Sequence, residues 1–377
     1  MATRYVNTSI LLDFQHYFVY IYVSGKISYR YRLRGVKMNN SQAFLYENIN
    51  FTRYRKGQKK GHYESFFLRA NHPEEPLAFW IRYTIFSPEN RPDDAIGEIW
   101  ASYFDGNTKK HTAAKEEFPL SDCLFNEDEF DIRVGKTVLD SRTATGMSSS
   151  GKNRITWDLN YSGNESPLLL LPPKFYNRSF PKAKSLVGFP MTAFNGLITV
   201  NGAEIPIENW VGSQNHNWGQ KHTDHYAWGQ VAGFDNDPES FFEIGTARLK
   251  MGPFWTPFMT VMVLRKGGME YRLNNMLQSL RAKGSFDYFS WRFMSEDETV
   301  RVEGDISASP HDFVGFNYYN PPGGIKHCLN TKIASCRLYI TNKKGANGKK
   351  IEILETQSRA AFEILTDDRK HGVRIHA

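Results

Sequence analysis

Cysteine is scarce in this chain of 377 residues: Cys123, Cys328 and Cys336 are the only three, and none stands in a C-x-x-C pair. That excludes a disulfide framework and a paired-cysteine metal knot, and makes a reducing cytoplasm the expected compartment. Long apolar runs are also missing. The run Tyr17–Val23 is seven residues long, against the roughly 20 that a membrane-crossing helix requires. No Walker or dinucleotide glycine pattern occurs, and Gly146-Met-Ser-Ser-Ser-Gly151 has the wrong glycine spacing for a nucleophile elbow. Strong helix signatures are absent between the strand-like segments, which argues against parallel α/β folds. Acidic residues are lacking in one place. Residues 1–60 hold eleven Lys or Arg and two acids, a local charge of +9 in a chain whose total is +7. The basic character is therefore a property of the N-terminus rather than a stripe across a folded face, and no nucleic-acid partner is expected.

What is present is aromatic and strand-like. Residues 1–37 read as a basic leader. It is expected to be poorly ordered or a non-native start before Met38, and its alternating Ile27–Arg34 piece is a candidate for peripheral membrane contact. From Met38 onward, Tyr63–Ala70, Leu77–Phe86, Ile96–Phe104, Phe130–Leu139 and Arg154–Tyr161 have strand length and β-branched or aromatic enrichment. Thr143–Asn153 reads as a Ser/Gly loop. Prolines 172, 173 and 181 break the ladder across Leu168–Lys184, which suits an inter-domain connection. Strands resume at Gly196–Ile207, Ser240–Leu249, Phe258–Lys266, Met269–Asn274, Phe286–Met294, Thr299–Ala308 and Lys332–Thr341, with a Gly267-Gly268 hairpin turn. The pattern of Ile351–Ile364 fits a strand or a closing helix. The expected architecture is all-β, two tandem antiparallel β-barrels over 38–175 and 176–377.

One stretch stands apart, Val211–Gln230, which packs three histidines, Asp224, Tyr226 and two tryptophans into a run with almost no aliphatic residue. Strand alternation groups Gln214, His216 and Trp218 before the break at Gly219, and His222, Asp224, Tyr226, Trp228 and Gln230 after it. Two strands joined there would make a polar and aromatic pocket wall. The catalytic candidates are His216, Asp224 and Tyr226, with Asp224 fixing a histidine tautomer. Gln214, Asn217, Trp218, His222, Trp228 and Gln230 are the ligand-contacting candidates. His216, His222 and Asp224 also admit a metal reading, although no known ligand spacing is present and no metal or other cofactor is expected. A third reading has these polar groups merely satisfying one another. Elsewhere Arg82 is expected in a structural ion pair with Glu98 or Glu64, with a ligand-anchoring role as the alternative, and Gly252–Phe258 reads as an aromatic lid or packed corner.

The run Gly212-Ser-Gln-Asn-His-Asn-Trp-Gly219, with His222 and Tyr226-x-Trp228 behind it, resembles the lipocalin-like family of hydroxyneurosporene synthase (carotenoid 1,2-hydratase) and AttH-type proteins, and more distantly tocopherol cyclase. Glu64–Arg69 and Trp80–Tyr83 extend the likeness over about residues 60–365. It implies tandem antiparallel barrels with His216, Asn217, Trp218 and Tyr226 facing a ligand cavity. Gln214-Asn215 stands where the hydratase would have a more acidic lead-in. Two functions follow. One is an enzyme that hydrates or cyclises an isoprenoid or lipid-like molecule by proton addition to a double bond. The other is a lipocalin-like carrier of an apolar metabolite. Nothing in the sequence indicates an oligomeric state.

Overall fold

The computed structural model describes residues 48–344 and 351–376 in full, and three short N-terminal strands (Thr8–Asp13, Phe18–Val23, Lys26–Arg32) through their backbone pairing. The expectation for the 1–37 leader otherwise falls outside the described residues. The chain is all-β, in two large antiparallel sheets. The first runs in the order Thr112–Pro119, Ile96–Asp105, Leu77–Ser87, His62–Asn71, Ala203–Gly219, Ala183–Val200, Asn153–Ser162 and Thr143–Ser150, then out through three short strands. It curls on itself: the Ser149 amide donates to Glu116 Oε2 at 2.8 Å and Asn153 Nδ2 to the Ala113 carbonyl at 2.9 Å, joining strands distant in that order. The second runs Met269–Leu273, Met259–Lys266, Asp237–Arg248, His225–Phe234, Lys350–Thr366, Ile325–Asn342, Val300–Ser307, Ser290–Glu296 and Lys283–Phe286. Trp291 Nε1 reaches across its interior to Thr246 Oγ1 at 3.2 Å.

Strand alternation then explains where the apolar residues go. Phe66, Leu68, Phe79, Ile81 and Tyr83 fill the first barrel, while Val231, Phe242, Ile244, Trp291 and Phe362 fill the second. The opposite faces of the same strands carry Phe67, Trp80, Trp100, Trp228, Phe316, Cys328 and Leu365, which form a third core between the barrels. His62–Asn71 is consequently buried at every position. Both faces of this antiparallel strand are covered, so its polar members His62, Glu64, Ser65, Arg69 and Asn71 are buried with hydrogen-bond partners. Gly212 is required where Ala203–Gly219 crosses His62–Asn71, since a Cβ there would overlap the Arg69 carbonyl oxygen.

Several expectations change. The passage between barrels is the short stretch from Gly219 to His225, not Leu168–Lys184, because Ala183–Val200 and Ala203–Gly219 both pair into the first sheet. The boundary near 175 therefore moves some 45 residues on, and the His-Asn-Trp-Gly segment belongs to the first barrel. The proline-rich stretch leaves and re-enters that same sheet. Thr143–Ser150 is a strand, since its serines pair rather than solvate: Ser149 binds Glu116 and Ser148 is buried. Gly196–Ile207 is a hairpin turning at Asn201-Gly202. Residues 351–364 lie in the long strand Lys350–Thr366, and Met276–Arg281 is a short helix whose capping box, Asn275 with Gln278, escaped the strand reading.

Candidate functional site

The register Trp218↔Glu64, His216↔Phe66 and Gln214↔Leu68 turns these three away from the seam and toward the interior of the first barrel. His216 is fully buried, stacked on Phe66, with Nε2 2.7 Å from Glu64 Oε1 and Nδ1 2.8 Å from the Ile49 carbonyl oxygen. Glu64 also receives the amides of Arg53 and Tyr54 and lies 2.9 Å from His62 Nε2. Burial alone pushes the Glu64 carboxyl up; the hydrogen bonds from His216 and His62 more than reverse this and hold it down at about 2. This knot ties the 48–54 segment onto the barrel. Gln214 accepts from Asn50 Nδ2, and Trp218 packs with Leu169, Tyr176 and Leu186.

Asp224 is not beside His216. Its carboxylate binds Lys221 at 2.6 Å and the Lys250 amide at 3.0 Å. The proposed His216–Asp224 acid/base pair and the His216, His222, Asp224 metal triad are therefore both undone, because the two histidines sit on opposite sides of the first sheet. Among the described residues no group of three or more His, Cys, Asp or Glu is placed to hold a metal ion. Gln230 is fully buried in a seam network: it accepts from Ser213 Oγ at 2.6 Å and donates to Asn215 Oδ1 at 2.8 Å.

The remaining four, Asn217, His222, Tyr226 and Trp228, line a cavity of 240 Å³ at the seam between the barrels. Its apolar wall comes from Leu170, Leu171, Phe175, Phe180, Met259, Val261 and Met276. Its polar pole is built by Arg82, Tyr318, Glu363, Tyr226 and His222. The Tyr226 hydroxyl donates to Glu363 Oε1 at 2.5 Å. Burial and the nearby Glu363 charge push the Tyr226 phenol well above its usual range, so it stays protonated. His222 stacks on Tyr63 at 3.8 Å between ring centres. Burial, then the charges of Arg82 and Lys326, push its imidazole well below the usual range, so it is uncharged at neutral pH.

Arg82 does not make the expected ion pair. Glu98 is taken by Lys115 at 2.8 Å, and Glu64 lies on the other face of the sheet. The Arg82 guanidinium instead lies over the rings of Tyr318 (4.4 Å), Trp100 (5.3 Å) and Trp80 (5.9 Å), with no carboxylate in ion-pair reach and no partner for Nε among the described residues. Behind the aromatic wall, Lys332 lies between Trp80 and Trp228, and burial brings its amine down to about 7. Glu243 receives Trp228 Nε1 at 3.0 Å, and burial takes its carboxyl up to about 7.

The sequence reading favoured a structural ion pair for Arg82 over a ligand anchor, and passed over Tyr318 and Glu363. Glu363 had a visible signal, a lone carboxylate in the apolar run Ala360–Leu365. Arg82 had a fainter one, a cation in a strand with aromatic residues on both faces. Tyr318 had none.

No family model matches the sequence, and no curated protein matches it. Solved structures do. The AttH-like protein of Nitrosomonas europaea is 11% identical, with 91% of this chain and 99% of that one covered at a TM-score of 0.52. Kievitone hydratase from Nectria haematococca is 10% identical over 89% and 94% of the two chains at 0.49, and CghA is 11% identical over 83% and 90% at 0.44. At such identities the likeness is one of fold, and the chain is built on the lipocalin-like, two-barrel architecture of the Nitrosomonas protein.

Proposed function

We propose that the seam cavity binds an apolar small molecule carrying one oxygen-bearing group, and that the protein performs acid–base chemistry on it, hydration or ring closure at a double bond. The single observation that carries this reading is the buried Arg82 guanidinium, with no carboxylate in ion-pair reach, in one cavity with the hydrogen-bonded Tyr226–Glu363 pair, whose carboxylate offsets its charge from a distance. A guanidinium is always charged, and its buried Nε without a hydrogen-bond partner is a place that a ligand oxygen would complete. Arg82 would hold the oxygen on which negative charge develops. Uncharged His222 would take the proton from water or from a substrate hydroxyl, Tyr226, its hydroxyl turned from Glu363 to the substrate, would deliver one to carbon, and the His222 imidazolium would return a proton to the tyrosinate.

The same charge refines the expectation from sequence. A free carbocation beside Arg82 in a low-dielectric cavity would be repelled. The favoured substrate therefore has its double bond conjugated to the oxygen that Arg82 binds, so that the developing charge is negative. A lipid extract incubated with the protein tests the reading. A product heavier by one water, or an isomer of altered chromatographic mobility, absent with Tyr226→Phe, is the expected result. A ligand that is retained but chemically unchanged would make the protein a carrier and overturn the catalytic part.

A further inference from the structure

The cavity opens among residues that the chemistry above does not use. Phe180 and Met276 line it and are themselves exposed. Leu249, also in its lining, leads directly into a two-stranded hairpin, Lys250–Met251 with Phe254–Trp255. At its tip Phe254 is 74% exposed and Met251 67%. On the other side the helix Met276–Arg281 holds Leu277 at 67% and Leu280 at 48% exposure. The aromatic segment Gly252–Phe258 is thus only partly a packed corner: Arg248 lies over Trp255 and Phe258, while Phe254 points outward. Large apolar side chains clustered in solvent mark a contact surface.

The segments that frame them are cationic, although Leu277 and Arg281 also share a groove with Glu296, Asp297 and Glu298, of which Glu296 is paired with Lys343 at 2.9 Å. The three framing segments, 172–184, 248–258 and 275–286, contain eight Lys or Arg and no Asp or Glu. The nearby Asp224 is already neutralised by Lys221. Aromatic and aliphatic tips within a cationic rim match a bilayer surface with anionic headgroups, the tips entering the acyl boundary and the cations meeting the phosphates. We infer that this face docks on an anionic lipid bilayer, with the cavity mouth directed into it, so that the apolar ligand passes between membrane and cavity without crossing water. The inference takes from the proposed function only that the cavity receives an apolar molecule. Its test involves no turnover.

Flotation of the full-length protein with phosphatidylcholine vesicles, with and without about 30% phosphatidylserine, reads it directly. The protein is expected to float with the anionic vesicles and to be released by about 0.5 M salt in proportion to the electrostatic share. The double change Met251→Ser with Phe254→Ser, at the exposed tip, should reduce flotation about 10-fold or more at an unchanged melting temperature. Leu277→Ser on the helix provides a second, independent reduction. Lys182→Glu with Lys250→Glu should remove the preference for phosphatidylserine. Failure of the unaltered protein to float overturns the inference. So does equal flotation of the tip variants, which would place membrane contact elsewhere, or a dimer in sedimentation that these variants dissociate, which would make a second copy the occupant. Because flotation and the Tyr226→Phe assay are separate readouts, either reading can fail alone.

Discussion

At the scale of single residues, the polar pole of the cavity makes two predictions. Arg82→Met should weaken binding of an apolar sulfonate dye such as anilinonaphthalene sulfonate by about 10-fold or more, the scale of one lost charge-assisted hydrogen bond in a dry site. Fluorescence titration reads this, and an unchanged affinity would place the anion site elsewhere. His222 supplies a pH signature. Its imidazole lies well below the usual histidine range when folded, so the unfolded chain takes up a proton first as pH falls. Its stability contribution is therefore full above about pH 6.5 and declines below it, whereas base function follows the folded imidazole and persists well below pH 6.5. Turnover should stay flat through about pH 6.5 and fall only in stronger acid, and His222→Gln should abolish that limb along with most of the activity.

At the scale of elements, two contacts show why these strands stay in register. Gly212 allows the crossing of Ala203–Gly219 over His62–Asn71. Gly212→Ala should cost about 3 kcal/mol, visible as a lower denaturant midpoint at unchanged slope. Glu64 clamps the 48–54 segment, and its carboxyl sits at about 2 against an ordinary 4.5. The stability it adds is complete above about pH 4.5 and drains away as pH falls toward 2. Glu64→Gln should flatten the stability profile over that window. The strands themselves were legible in the sequence, since alternation and turn residues place most of them within a few positions. The pairing was not. Parity grouped Gln214, His216 and Trp218 on one strand and Tyr226 and Trp228 on the next and joined both groups into one wall, because it cannot say which face meets which barrel. His216, the residue most like a catalyst by type, is held by Glu64 from a strand some 150 positions away. Arg82 looked structural because a buried cation usually has an acid opposite, and here that acid is committed to Lys115.

At the scale of the whole molecule, the two barrels are tied by more than the short link at Gly219–His225. Arg69 Nη2 donates to the Arg359 carbonyl at 2.9 Å, Asn71 Nδ2 to the Lys332 carbonyl at 2.7 Å, and Gln230 bridges to Ser213 and Asn215. All of these groups lie in a water-poor seam, where each unmade bond costs on the order of 1–3 kcal/mol. The protein should therefore melt in one calorimetric transition, and Asn71→Ala combined with Arg69→Met should split it into two. No helix among the described residues is long and apolar enough to cross a membrane. The seam has one more consequence, an optical one. Trp80 and Trp228 both face the cavity with the Lys332 amine between them, so their excited states sense any occupant that displaces solvent or shifts the protonation of that amine. The intrinsic emission of the unlabelled protein is thus a built-in reporter. A change in its wavelength or intensity on adding candidate molecules, lost in Trp228→Phe, offers a way to screen for the natural ligand before its identity is known.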